Sequence, residues 1–142
     1  MVPFKPNPQQ LEAIRNGATK LWIPFIETNL WENRMDWCKK RLLDPANSRA
    51  WNNSLIGVSP LQPNEQYFLT NTDIEFTVTG VEVKNVQYLM LREMISLGIK
   101  NETAMTERFV PWHDSQYPNQ PYSSNPYGFL VTLEAIEYNK DA

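Results

Sequence analysis

The chain has 142 residues, a formal net charge of −3, 42% apolar and 20% charged residues, which is the balance of one domain able to bury a core and excludes a disordered chain. The acidic balance argues against a protein whose main work is tracking phosphate backbones, leaving only a local basic patch for such a role. Cys38 is the single cysteine, which excludes an internal disulfide and a paired Cys/His zinc set.

No apolar run reaches membrane-spanning length. The opening "MVPFKPNPQQ" has neither the basic nor the apolar region of a signal peptide. The expectation is a soluble protein in a reducing, cytoplasmic compartment, with no metal and no cofactor. Proline, at 11 residues, is about one and a half times its usual share while glycine is low, which suggests strands joined by structured loops.

In chain order, Asn7 is a good N-cap, Pro8 suits the first helical position and Gly17 is a natural stop, so a short helix is predicted from about Pro8 to Asn16. "KLWIPFI" reads as a strand, with Pro24 placing it at an edge or a bulge. Trp31, Met35, Cys38 and Leu42 fall at helical spacing, with Lys39, Lys40 and Arg41 in the last turn and Asp44-Pro45 as the end. Residues 46–59 read mostly as loop, with a short strand at "SLIGV". A turn at Pro63-Asn64 leads into the strand "QYFLT".

Ile74, Phe76 and Val78 share one strand face, whereas Val81 and Val83 have the other parity. A bulge at Gly80 would return both sets to one core, and bent strands of this kind suit small closed barrels. Leu91, Met94 and Ile95 then predict a helix stopped by Gly98. A second helix starts at Asn101 and cannot pass Pro111 undisturbed. "NQPYSSNPYG" is a loop, and "GFLVTLEAIEY" is a long apolar strand. The layout is a single α+β domain, residues 1–142, around a small mixed or antiparallel sheet with flanking helices.

Four stretches together resemble the ASCH family, whose domains have a PUA-like β-barrel fold, and most closely its small bacteriophage-type members. They are the first helix with Lys20 just beyond it, "SPLQPNEQYFLTNT", "FTVTGVEVKNVQYLMLREMISLGI", and "RFVPWHDSQY" with "NPYGFLVTLEAI", together about two thirds of the chain. The family's usual "G-x-K-T-x-T-x-R" is "GATKLWIPF" here, with Thr19 and Lys20 in swapped order. Residues 29–53 have no counterpart and read as an insertion.

The resemblance implies binding of RNA, a nucleotide or a modified nucleoside in a cleft between the first helix and the sheet. Arg15, Lys20, Trp22 and Tyr67 are the candidate contacts, since aromatics stack on bases and cations meet phosphates. Some relatives are amidohydrolases acting on acetylated cytidine through Lys, Thr and Glu. Lys20 and Glu75 are the matching positions here, the lysine as nucleophile or acid/base and the carboxylate to tune it. Glu75 equally fits a solvent-facing strand position, and Trp22 equally fits core packing.

His113 beside Asp114 reads as a loop or helix-end residue, and Cys38 as a buried small apolar one. A third reading makes the chain a phage-encoded inhibitor of a host protein in the host cytoplasm. It would bind through Trp31, Arg34, Trp37, Lys39, Lys40 and Arg41, unless the tryptophans complete the core. Oligomeric state is not legible.

Overall fold

The computed structural model describes residues 1–25 and 34–138. Its first helix, α1 (Pro8–Arg15), is built as the local code requires. Asn7 Oδ1 accepts from the Gln10 amide at 2.8 Å, and Gln10 Oε1 accepts from the Asn7 amide at 2.9 Å, a reciprocal capping box. Gly17 ends the helix at φ +94°, a conformation only glycine adopts without strain.

Five strands form one mixed sheet: β1 (Val2–Phe4), β2 (Lys20–Pro24), β3 (Gln66–Leu69), β4 (Ile74–Asn85) and β5 (Tyr127–Tyr138). Their order is β1-β3-β4-β5-β2. The β1–β3 pair is parallel and the others are antiparallel. The closed barrel expected from the sequence is not formed, because β1 and β2 remain opposite edges. β1 is only three residues long, and Pro24 on β2 cannot donate to a further strand.

The bulge at Gly80 is present. Val78 faces Leu133 and Gly80 faces Thr132, so Thr79 is the extra residue. A second irregularity lies between Glu75 and Thr77, opposite Ala135 at φ +50°. Ile74, Phe76, Val78 and Val81 consequently enter one core.

Side-chain alternation gives the sheet two buried faces. The first holds Leu21, Ile23, Val81, Phe129 and Val131 against Ile14 of α1 and two further helices, α2 (Arg34–Lys40) and α3 (Ser48–Ile56). The second holds Trp22 and Leu130 against Val86, Leu97, Met105 and Phe109.

Two local expectations are corrected. The expected apolar stripe is split: Cys38 is buried as foreseen, together with Trp37, whereas Met35 and, beyond the end of α2, Leu42 are exposed. Trp31 lies outside the described residues. Residues 46–59 are not a loop with a strand, because α3 occupies most of them, capped by Asn47 Oδ1 accepting from the Ala50 amide at 3.1 Å. Trp51 and Leu55, four apart, seat α3 on the core. Asn47→Ala should cost about 1 kcal/mol in chemical denaturation by losing this cap. The helix expected before Gly98 is present as α4 (Leu91–Ser96), with Leu91 and Ile95 exposed, Glu93 buried and Met94 packed against the second core.

The next helical run begins at Asn101, whose side chain accepts from the Ala104 amide, and comprises α5 (Glu102–Ala104), a π-helical turn (Met105–Phe109) and α6 (Val110–Gln116). The wider turn lets the chain continue past Pro111, which has no N–H to give to the preceding turn.

Candidate functional site

β2 directs Leu21 and Ile23 to the first core and Trp22 to the second, and Lys20 shares the parity of Trp22. The register across β2, β5 and β4 forms three rows: Lys20 with Thr132 and Gly80, Trp22 with Leu130 and Glu82, Pro24 with Gly128 and Lys84. The Trp22 indole reaches from its own row over Gly128. A Cβ at residue 128 would stand 2.5 Å from both Cζ2 and Cη2 of that ring. Gly128 therefore provides the surface on which the indole lies.

Beside it is a cavity of about 10 Å³, lined by Gln9, Ala13, Lys20, Trp22, Phe109 and Trp112 among others. That is room for about one water molecule. Trp22 Nε1 is buried without a hydrogen-bond partner.

Glu93, on helix α4 (Leu91–Ser96), is buried but does not line this cavity. Its carboxylate accepts from Lys84 Nζ at 2.9 and 2.8 Å and from the Met90 amide at 2.8 Å. Burial by itself would raise its pKa. The Lys84 hydrogen bond outweighs this, with the Met90 N–H and the charges of Lys84 and Lys20, and holds the carboxyl below its ordinary 4.5.

No protein-family model, curated protein or solved structure matches the chain.

Of the residues expected to bind or react, Lys20 and Trp22 come together as foreseen. Glu75 does not join them. Lys20 pairs with Thr132 and Glu75 with Glu137, which separates them along β5 by on the order of 15 Å. Glu75 instead stands between Phe68 and Glu137 at the far end of the sheet. Tyr67 is buried in the first core, stacked on Phe76, and its hydroxyl accepts from the Gln62 amide at 2.6 Å. It therefore lies in the core opposite the Trp22 cavity, since a β3 residue paired with Phe76 shares that residue's face. Arg15 is exposed at the end of α1 and is not part of the cavity lining.

The aromatic patch expected within residues 29–53 is corrected too. Trp37 and Trp51 are core residues at 4% and 7% exposure. Trp37 Nε1 donates to Ser54 Oγ at 3.1 Å, and the Arg41 guanidinium lies 3.3 Å over its ring. Arg34 sits 4.7 Å over Trp51 and donates to Ser48 Oγ. Their cations roof two buried indoles, and Lys39 and Lys40 are exposed beside them.

His113 is fully buried within α6, between the rings of Phe109 and Tyr117. Among the described residues no cluster of three His, Cys, Asp or Glu side chains is placed to hold a metal. No described helix is long and apolar enough to cross a membrane.

Sequence reasoning missed Lys84, Glu93, Phe109 and Trp112. Glu93 alone left a signal: a glutamate at the third position of a helix commonly reaches back to the N-cap amide, as it does here.

Proposed function

We propose that the chain is a binding module for a nucleoside, free or within RNA, of the ASCH type with a PUA-like core. The observation that carries this reading is that one cation, Lys20, and three aromatic rings, Trp22, Phe109 and Trp112, line a single cavity. Rings of this kind stack on bases, and a cation beside them meets a phosphate or a carbonyl oxygen. The unpartnered Trp22 N–H offers a further donor. Because the cavity admits about one water, a base enters only as the helical layer carrying Phe109 and Trp112 moves outward. The bulged, bent β4–β5 pair supports the PUA-like assignment.

Cytidine, N4-acetylcytidine and a short oligoribonucleotide are the probes, titrated against tryptophan fluorescence at two salt concentrations. At least one should bind in the micromolar to low millimolar range, and Lys20→Ala should weaken it by about tenfold. Oligonucleotide binding that falls steeply with salt would place the ligand in RNA. Absence of binding by all three discards the reading.

A second reading, hydrolysis of an N-acyl nucleoside through Lys20 without Glu75, is favoured by the cross-strand pairing of Lys20 with Thr132. Thr132 offers a hydroxyl directly across from Lys20, whereas Thr19 of the altered "GATK" motif precedes the lysine by one residue and has the other parity. In that reaction water adds to the acyl carbon, the C–N bond breaks, and the proton passes to the departing amine. Acetate release from N4-acetylcytidine that is lost in Lys20→Ala and kept in Glu75→Ala would support it. Release lost in Glu75→Ala would oppose it.

A further inference from the structure

Gln9 and Gln10 are neighbours on α1 that look into different spaces. Gln9 lines the small cavity beside Trp22, whereas Gln10 lines a separate cleft of about 610 Å³. This volume lies within the range of small-molecule sites. The cleft spans Phe4 at the end of β1 and Ile23 on β2, the two edge strands that leave the sheet open. Val58 and Pro60 extend its apolar wall, and Lys5 stands at its polar side.

The lining is asymmetric in charge. Among the described residues it includes one cation and no carboxylate, and it adjoins the N-terminus of α1, which carries partial positive charge. Gln10 is 3% exposed. Its Oε1 is occupied by the Asn7 amide, while its Nε2 is buried with no hydrogen-bond partner. Buried donors almost always have an acceptor, so an orphan in the lining of a roomy cleft marks where a ligand acceptor belongs.

We infer that this cleft binds a small amphiphilic carboxylate. Its apolar body packs on Phe4, Ile23, Val58 and Pro60, and its carboxylate accepts from Gln10 Nε2 with Lys5 as counter-charge. A phosphate dianion suits the site less well, because it would bring three acceptor oxygens to one amide and one ammonium.

Octanoate and 1-octanol are the probes, with ¹H–¹⁵N spectra of the protein as the readout. Octanoate should shift the Gln10 side-chain amide and the backbone amides of Lys5 and Val58 saturably, and bind at least tenfold tighter than the alcohol. Gln10→Glu keeps the capping acceptor and removes the donor, so it should weaken octanoate at least tenfold and leave octanol unchanged. Equal affinity for acid and alcohol, unchanged octanoate affinity in Gln10→Glu, or no octanoate binding up to about 10 mM would each overturn the inference. Should Gln10→Glu not fold, the acid–alcohol comparison and the Gln10 amide shift on the unaltered chain decide it alone.

Discussion

Gly128→Ala should destabilise the protein by about 1–3 kcal/mol and lower its thermal midpoint by roughly 5–10 °C. The added methyl would meet Cζ2 and Cη2 of Trp22 at 2.5 Å and Cε2 at 2.9 Å, where real contacts do not occur. The obstacle is a rigid bicyclic ring buried among Leu130, Leu97 and Phe109, so it cannot simply swing aside. The indole must shift or the β2–β5 pairing must yield. Trp22→Leu in the same chain removes the clashing atoms, and the two substitutions together should cost less than the sum of each alone. Thermal melts of the four proteins test this; additive losses, or a Gly128→Ala protein that melts with the parent, would show that the ring does not rest on residue 128.

Lys84→Met should cost a further about 2–4 kcal/mol at neutral pH, because it leaves the Glu93 carboxylate buried without its closest partner. The lysine is 27% exposed against 6% for the glutamate, so solvent softens the loss below that of a fully enclosed pair. The pH dependence has a definite sign. The folded-state pKa of Glu93 is depressed, so the pair's contribution is complete above 4.5 and is lost as pH falls through the lower folded value. Without Lys84 the burial cost is opposed only by the Met90 N–H and the more distant Lys20, and the carboxyl titrates higher. Urea unfolding should therefore show the largest gap between parent and variant near pH 7 and a narrowing gap below about pH 4.5. A gap independent of pH would mean that the lysine matters for its aliphatic stem rather than its charge.

Much of the fold was legible because it rests on local signals. Asn7, Pro8 and Gly17 define α1 through backbone chemistry that acts within a few residues. Gly80 was readable as a bulge because the apolar parity changes there, and Pro24 as an edge marker because it lacks a donor. α3 was missed although Asn47, Trp51 and Leu55 carried a helical signal, since the apolar run "SLIGV" has the same composition as a strand. The exposed Leu91 and Ile95 could not be foreseen, because which face of α4 is covered depends on tertiary contacts, among them the Lys84–Glu93 ion pair and the packing of Met94 and Leu97.

The candidate site divides in the same way. Lys20 and Trp22 lie two apart on one strand, and their common face follows from period two. That Glu75 stays away from Lys20 depends on how far β4 slides along β5. That register is fixed by two bulges together, of which only one left a mark in the sequence.

The position of β5 in the sheet carries a consequence for how the chain is made. It is the last strand in order of synthesis, yet it lies between β4 and β2 and contributes to both cores. Lys20 and its neighbours on β2 emerge early and wait for Thr132 before they acquire a ladder partner. Until then the β2 strand and the β5-facing edge of β4 both lack a ladder partner. Topology of this kind folds slowly and exposes sticky edges while it waits. A ribosome stalled before β5 would thus hold a nascent chain that needs chaperone cover.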